Sequence, residues 1–205
     1  PKHNAAEFLR GDVQIDQILS DAPENLKFIA GGSGLLEMLN LDNQARYRIL
    51  QSLSDLEDQI DYLLVDTPAG ASDSTLFFAS ACDIPVVVLV AEPTSFLDAY
   101  SLIKAAHYDK NINNFSVLVN MADNSASAKK NFDKFFEICR RFLDVNLHYA
   151  GMIPLSNAIR RSIVKRAPIV SAQPSSPEAR AFQGAAREIV RAPKNEQKGI
   201  RFFGT

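Results

Sequence analysis

Asp66 closes the apolar run Tyr62-Leu-Leu-Val65. A carboxylate at the end of a buried strand can hold the water shell of a Mg²⁺ ion carried in on a nucleoside triphosphate. Thr67-Pro-Ala-Gly70 comes next, and at Gly70 a backbone N–H can approach a terminal phosphate with no side chain in the way. Asp-Thr-Pro also ends strands simply as a turn, so this pattern alone leaves both readings open. Asn120 comes after a second apolar run, Ser116-Val-Leu-Val119. Its amide donates and accepts at once, which suits the edge of an adenine ring, although Asn in such a place is also a common turn former. Gly151-Met-Ile-Pro154 closes a third run, where Pro154 would shape a loop meeting the other side of the base. Each signal is weak alone; at the ends of successive strands they carry much more weight together.

Such a site needs strands that end on one rim. Leu26-Lys-Phe-Ile-Ala30 predicts a strand that breaks at Gly31-Gly32, and residues 35–56 predict a helix, in one or two pieces. Tyr62-Leu-Leu-Val65 predicts a buried strand and residues 74–82 a short helix. Pro85-Val-Val-Val-Leu-Val90 predicts a strand apolar on both faces, as in a sheet covered on both sides. Ser95-x-x-Asp98 resembles a capping box with Asp in place of Glu, opening a helix that carries Phe96, Ala99, Ile103 and Ala106 on one face. Phe132, Phe135, Phe136, Cys139 and Phe142 form the apolar stripe of another helix, read as core rather than as a ligand box. Residues 147–153 predict a last strand, and Ser176-Pro177 caps a final helix running to about Arg191. Strand–helix alternation of this kind predicts an α/β fold. Its sheet is doubly wound and mostly parallel, with helices on both faces and strand ends at Val65, Val90, Val119 and Ile153 on one rim.

The 205 residues include 46% hydrophobic and 22% charged residues, ordinary for one globular domain. A net charge of −2 offers no bulk attraction for nucleic acid or an anionic membrane. Cys82 and Cys139 stand far apart with no C-x-x-C pair, which fits a reducing cytosol and argues against a disulfide framework or a zinc site. No stretch approaches the length of a membrane span, and no signal peptide opens the sequence. Both ends read as cuts.

Longer blocks carry a resemblance. Leu63-Leu-Val-Asp-Thr-Pro-Ala-Gly-Ala-Ser-Asp-Ser74, Ala91-Glu-Pro-Thr-Ser-Phe-Leu-Asp-Ala-Tyr-Ser-Leu-Ile-Lys104, Val119-Asn-Met121 and Tyr149-Ala-Gly-Met-Ile-Pro154 resemble consecutive blocks of the MinD/ParA family. The second block is similar to its FlhG branch, regulators of flagellar number. The resemblance implies the SIMIBI-type P-loop NTPase fold over residues 1–191, with 192–205 a linker and the start of a membrane-targeting helix. It implies an ATP-dependent homodimer that hydrolyses ATP, cytoplasmic and reversibly membrane-associated. Asp66 becomes the Walker B aspartate, acting on Mg²⁺ through water and placed as the catalytic residue. Gly70 becomes the switch glycine facing the γ-phosphate, and Asn120 and Pro154 the adenine contacts. The implied partners are a flagellar switch component, a transcriptional regulator or the SRP-type GTPase FlhF.

One departure is large. The sequence holds no G-x-x-x-x-G-K-S/T motif, and Gly31-Gly-Ser-Gly34 reads as a turn because no Lys comes after it. The resemblance places the phosphate-loop strand before Pro1, between the expected strands at 62–65 and 85–90. That predicts a longer natural protein and an inactive 205-residue chain. The surface that partners read is expected on the helix after Glu92, at Asp98, Ser101 and Lys104. Residues 145–177 hold no acidic residue while Arg160, Arg161, Lys165 and Arg166 cluster, a solvated face or a contact for a partner or anionic surface. That cluster is thin evidence for DNA. Ile200, Phe202 and Phe203 beside Lys198 and Arg201 read as the start of an amphipathic membrane helix or as a frayed tail. The other functions weighed are a ParA-like partition ATPase, a non-catalytic regulatory module of the same fold, and an iron–sulfur carrier. The last lacks the cysteine pair it needs.

Overall fold

The structure, a computed structural model, describes residues 3–23, 25–29, 43–54 and 56–195. They fall into two compact units. The first comprises the described residues up to Pro68 together with Ser72–Ala81; the second comprises Ala69–Ala71 and residues 82–195. In the first, helix α1 (Ala5–Arg10) touches α2 (Ile15–Ile18) and α3 (Asn43–Ser54). Strands β1 (Leu19–Ala22) and β2 (Leu26–Ile29) pair antiparallel, with Leu19 opposite Ile29. The expected strand at 26–30 is therefore present, as half of a small ribbon. Of the expected helix at 35–56, Asn43–Ser54 is helical; residues 35–42 and the Gly31–Gly34 stretch lie outside the described residues. The same unit contains α4 (Asp73–Ala81), matching the short helix read from residues 74–82.

The second unit carries a parallel sheet in the order β3 (Val86–Leu89), β4 (Asn114–Ala122) and β5 (Asn146–Pro154). Val86 pairs with Ser116, and Asn114 with Asn146. The crossovers are α5 (Pro93–Lys110) and α6 (Ser125–Phe142). After β5 come α7 (Asn157–Val164), α8 (Ile169–Ala172) and α9 (Pro177–Arg191), the last lying along β5. Caps fix these lengths. Asn111 ends α5 in the left-handed region at φ 56, and its N–H donates to carbonyls of the last turn. Asn124 opens α6 by accepting from the Ser127 N–H at 2.9 Å. Ser176 Oγ accepts from the Ala179 N–H at 3.1 Å, as the Ser-Pro pair predicts.

The core lies between the sheet and these helices. Leu89, Val117, Val119 and Ala150 on the strands are buried with Ile103 of α5, Phe135 and Cys139 of α6 and Ala179 of α9. Along α6, Ala128, Phe132, Phe135 and Cys139 are buried at helical spacing, so most of the phenylalanine stripe is core. Phe142 departs from it and is 62% exposed. It is the helix's last residue, and the chain turns to extended geometry at Leu143, which takes the buried place instead.

Three expectations are corrected. Residues 62–65 form no strand, and Tyr62 and Leu64 are exposed. A strand persists through its ladder partner, and among the described residues none pairs with this run. β3 is not covered on both faces: Val87 and Leu89 are buried, while Val86 and Val88 are exposed. Ser95 and Asp98 do not cap α5. The helix starts three residues earlier, with Glu92 as N-cap and Pro93 in the first turn, where its missing N–H costs nothing. Ser95 Oγ instead accepts from the Val90 N–H at 3.0 Å, tying the end of β3 to the next helix. Among the described residues no helix is long and apolar enough to cross a membrane.

Candidate functional site

Parallel strands end together, so the carboxyl ends of β3, β4 and β5 form one rim of the second unit. β4 runs past Val119, and its pairing with β5 slips twice, between Val117 and Val119 and again between Val119 and Ala122. The second slip contains Asn120. Its side-chain Oδ1 accepts the Met121 N–H at 2.9 Å, and Met121 sits in the left-handed region at φ 54. An L-residue there costs of order 1 kcal/mol, which the Asn120 bond helps offset. With its carbonyl engaged, the Asn120 amide keeps its NH₂ as a donor. Pro154 ends β5 opposite Ala122, and the Leu155 N–H donates to the Ala122 carbonyl at 3.0 Å. Asn120 and Pro154 are therefore brought to the same end of neighbouring strands, as the sequence predicts.

Gly70 stands at φ 92, and a Cβ built there would meet nothing within 4 Å. Its requirement for glycine is thus conformational, not a matter of crowding. Asp66, in the first unit, is exposed in an irregular segment instead of at a strand end. Ser72 and Thr75, to which the sequence reading assigns no role, anchor the nearby chain. Ser72 Oγ accepts from the Thr75 N–H at 3.2 Å and lies 3.0 Å from the Thr75 hydroxyl, which donates to the Pro68 carbonyl at 3.4 Å. This is an N-cap for α4, and it ties Pro68 to the helix. The signal was present as a Ser three residues ahead of Thr at a helix start.

Asp98, Ser101 and Lys104 are all exposed on α5. The same helix also exposes Leu97 at 66% and Tyr108 at 60%. Leu97, Ser101, Lys104 and Tyr108 recur at four- and three-residue steps, so they share one outward stripe.

With that geometry in place, comparison with known proteins gives the class. A family model described as ParA, NUBPL iron-transfer P-loop NTPase, matches residues 45–190. The MinD cell division protein of Aquifex aeolicus superposes with a TM-score of 0.69 at 20% identity, over 96% of this chain and 78% of that one. The chain belongs to the ParA/MinD family of P-loop NTPases. Within it, the chain is 33% identical to the antiactivator FleN of Pseudomonas aeruginosa over 205 residues, 99% of this chain and 73% of that protein. It is 28% identical to the flagellum site-determining protein YlxH of Helicobacter pylori, over 80% of this chain and 55% of that one.

The two cysteines stand in separate elements, Cys82 just after α4 and Cys139 within α6. Cys139 is fully buried inside α6, and burial pushes its thiol up to about 12. Burial, with Asp83 beside it, pushes Cys82 up to about 11. Both favour the protonated form. Above the ordinary value of 9.0 the unfolded chain loses these protons first, so folding weakens as pH rises toward 11 to 12.

Proposed function

We propose that this chain is the core of an ATP-dependent dimerisation switch that regulates flagellar number or placement. The observation that carries the reading is the likeness to FleN along 99% of the chain. The placement of Asn120 and Pro154 near the carboxyl ends of neighbouring strands is the geometric support for it. In this reading the Asn120 amide and the Pro154 loop flank the adenine, and Gly70 offers its N–H to the γ-phosphate. Asp66 holds the hydration shell of Mg²⁺ and acts in hydrolysis. Mg²⁺ would supply charge neutralisation at the phosphates. The exposure of Asp66 leaves its carboxylate open to a hydrated ion. The switch acts in the cytoplasm, with reversible membrane contact through a segment that begins with Ile200, Phe202 and Phe203 beside Lys198 and Arg201.

Residues 1–205 contain no phosphate-cradling motif, and β3 pairs with a strand on one side alone among the described residues. We place the phosphate-loop strand along that open edge of β3. Isothermal titration of ATP and Mg²⁺ into the 205-residue chain is expected to give no tight binding. A longer protein with a Lys-bearing glycine loop ahead of Pro1 is expected to bind and to dimerise with ATP in light scattering. Tight binding by the shorter chain, or an ATP-insensitive monomer from the longer one, refutes the assignment.

The stripe on α5 is the proposed readout face for flagellar partners such as FlhF or a switch component, because Asp98, Ser101 and Lys104 are exposed beside Leu97 and Tyr108. Charge reversal at Asp98 and Lys104 is expected to change flagellar number in cells while the protein stays folded. Unchanged flagellation and unchanged partner pull-down remove this face from consideration.

A further inference from the structure

Helix α7 is held to the protein by its inner side alone. Ala158, Ile159 and Ser162 are half-buried, and Ser156 caps the helix by accepting the Ala158 N–H at 3.0 Å. The outer side presents Ile163 at 70% and Val164 at 83% exposure, with Arg160 and Arg161 exposed among them. Lys165 and Arg166 extend the charge past the helix end. Between α7 and α8 lies a cavity of about 110 Å³ lined by Arg161, Ser162, Lys165, Ile169 and Gln173. Glu178 reaches this region and accepts a 2.6 Å hydrogen bond from Ser156. Its titration is held below the ordinary range first by that bond and last by Arg161.

We propose that the outer face of α7 and the cavity beside it dock an acidic, aliphatic-bearing segment of a partner protein, with one of its carboxylates seated between Arg161 and Lys165. Charge complementarity sets the sign of the partner: residues 145–177 hold no acidic residue in a chain whose net charge is −2. The aliphatic pair sets its class. Phosphates of a nucleic acid could meet the cations but give Ile163 and Val164 nothing apolar to bury. An alternation of Glu or Asp with Leu or Ile satisfies both.

The test uses the whole chain and a short fluorescein-labelled peptide in which Glu and Leu alternate, read by anisotropy. Binding is expected to weaken about tenfold or more with Arg161→Glu and Lys165→Glu together. It is expected to weaken several-fold with Ile163→Ser and Val164→Ser, and to vanish when the peptide's Glu is replaced by Gln. Circular dichroism of each variant, with the milder Arg161→Gln as a second probe, separates lost docking from lost fold. No binding of the peptide, or equal binding by the variants, overturns the proposal. So does tighter binding of duplex DNA or of phosphatidylglycerol vesicles through these same side chains. Because the readout needs no nucleotide, its failure is distinct from failure of the switch reading.

Discussion

Asp66→Ala is expected to lower ATP turnover about a hundredfold or more in the protein that carries the phosphate loop. The carboxylate would hold water on Mg²⁺, and the metal must stay fixed while charge develops on the transferring phosphoryl group. Loss of a contact made mainly in the transition state appears in kcat, with a smaller change in nucleotide affinity. The fold should be indifferent. Asp66 is exposed, and surface substitutions of this kind stay within about 0.5 kcal/mol. Steady-state hydrolysis, titrated nucleotide affinity and thermal unfolding of the same preparation separate these effects. Turnover equal to the parent, with an unchanged melting point, would remove Asp66 from the chemistry. The same variant should fail to cycle between monomer and dimer when ATP is supplied.

The largest effect on stability is expected at Phe135. Its ring is fully buried in α6 and meets Phe96 of α5 edge-on at 5.7 Å between centroids. Phe135→Ala would remove that ring from the junction of two crossover helices with the sheet. Truncations of this size cost about 3–5 kcal/mol, from lost transfer energy and from the cavity left behind. For a unit of this size that is a fall in Tm on the order of 10 °C. Phe142→Ala is the control. It belongs to the same stripe in the sequence but is 62% exposed, so its cost should stay below about 1 kcal/mol. Equal losses from the two variants in a thermal melt would mean that α6 packs with a different face. The prediction matters for function because α6 joins β4 to β5, and those strands carry Asn120 and Pro154.

Periodicity sufficed for α5, α6 and α9 and for β3, β4 and β5, because each is long or apolar enough to bury a consistent face. The shared rim near Asn120 and Pro154 was legible for the same reason: runs that pair in parallel bring their carboxyl ends together. The basic cluster was legible as composition, but not the helix beneath it. Only tertiary structure shows Ile163 and Val164 standing outward among the cations, since a short helix carries too few turns for its buried side to be read. The start of α5 went the same way. Ser95-x-x-Asp98 matches a capping pattern, yet Pro93 needs no partner for an N–H it lacks, and Ser95 finds the Val90 N–H instead. Residues 62–65 are apolar enough for a strand and form none, because an apolar run supplies burial while a strand requires a hydrogen-bonding neighbour. Asn195 is the converse case. Nothing in Pro-Lys-Asn marks it, yet its amide bonds to both Asn113 and Asn114. Local sequence thus determined which segments could form elements and what their ends could bind. Contacts between residues about 80 positions apart decided which backbone groups those ends meet, because a hydrogen bond depends on position in space and carries no trace along the chain.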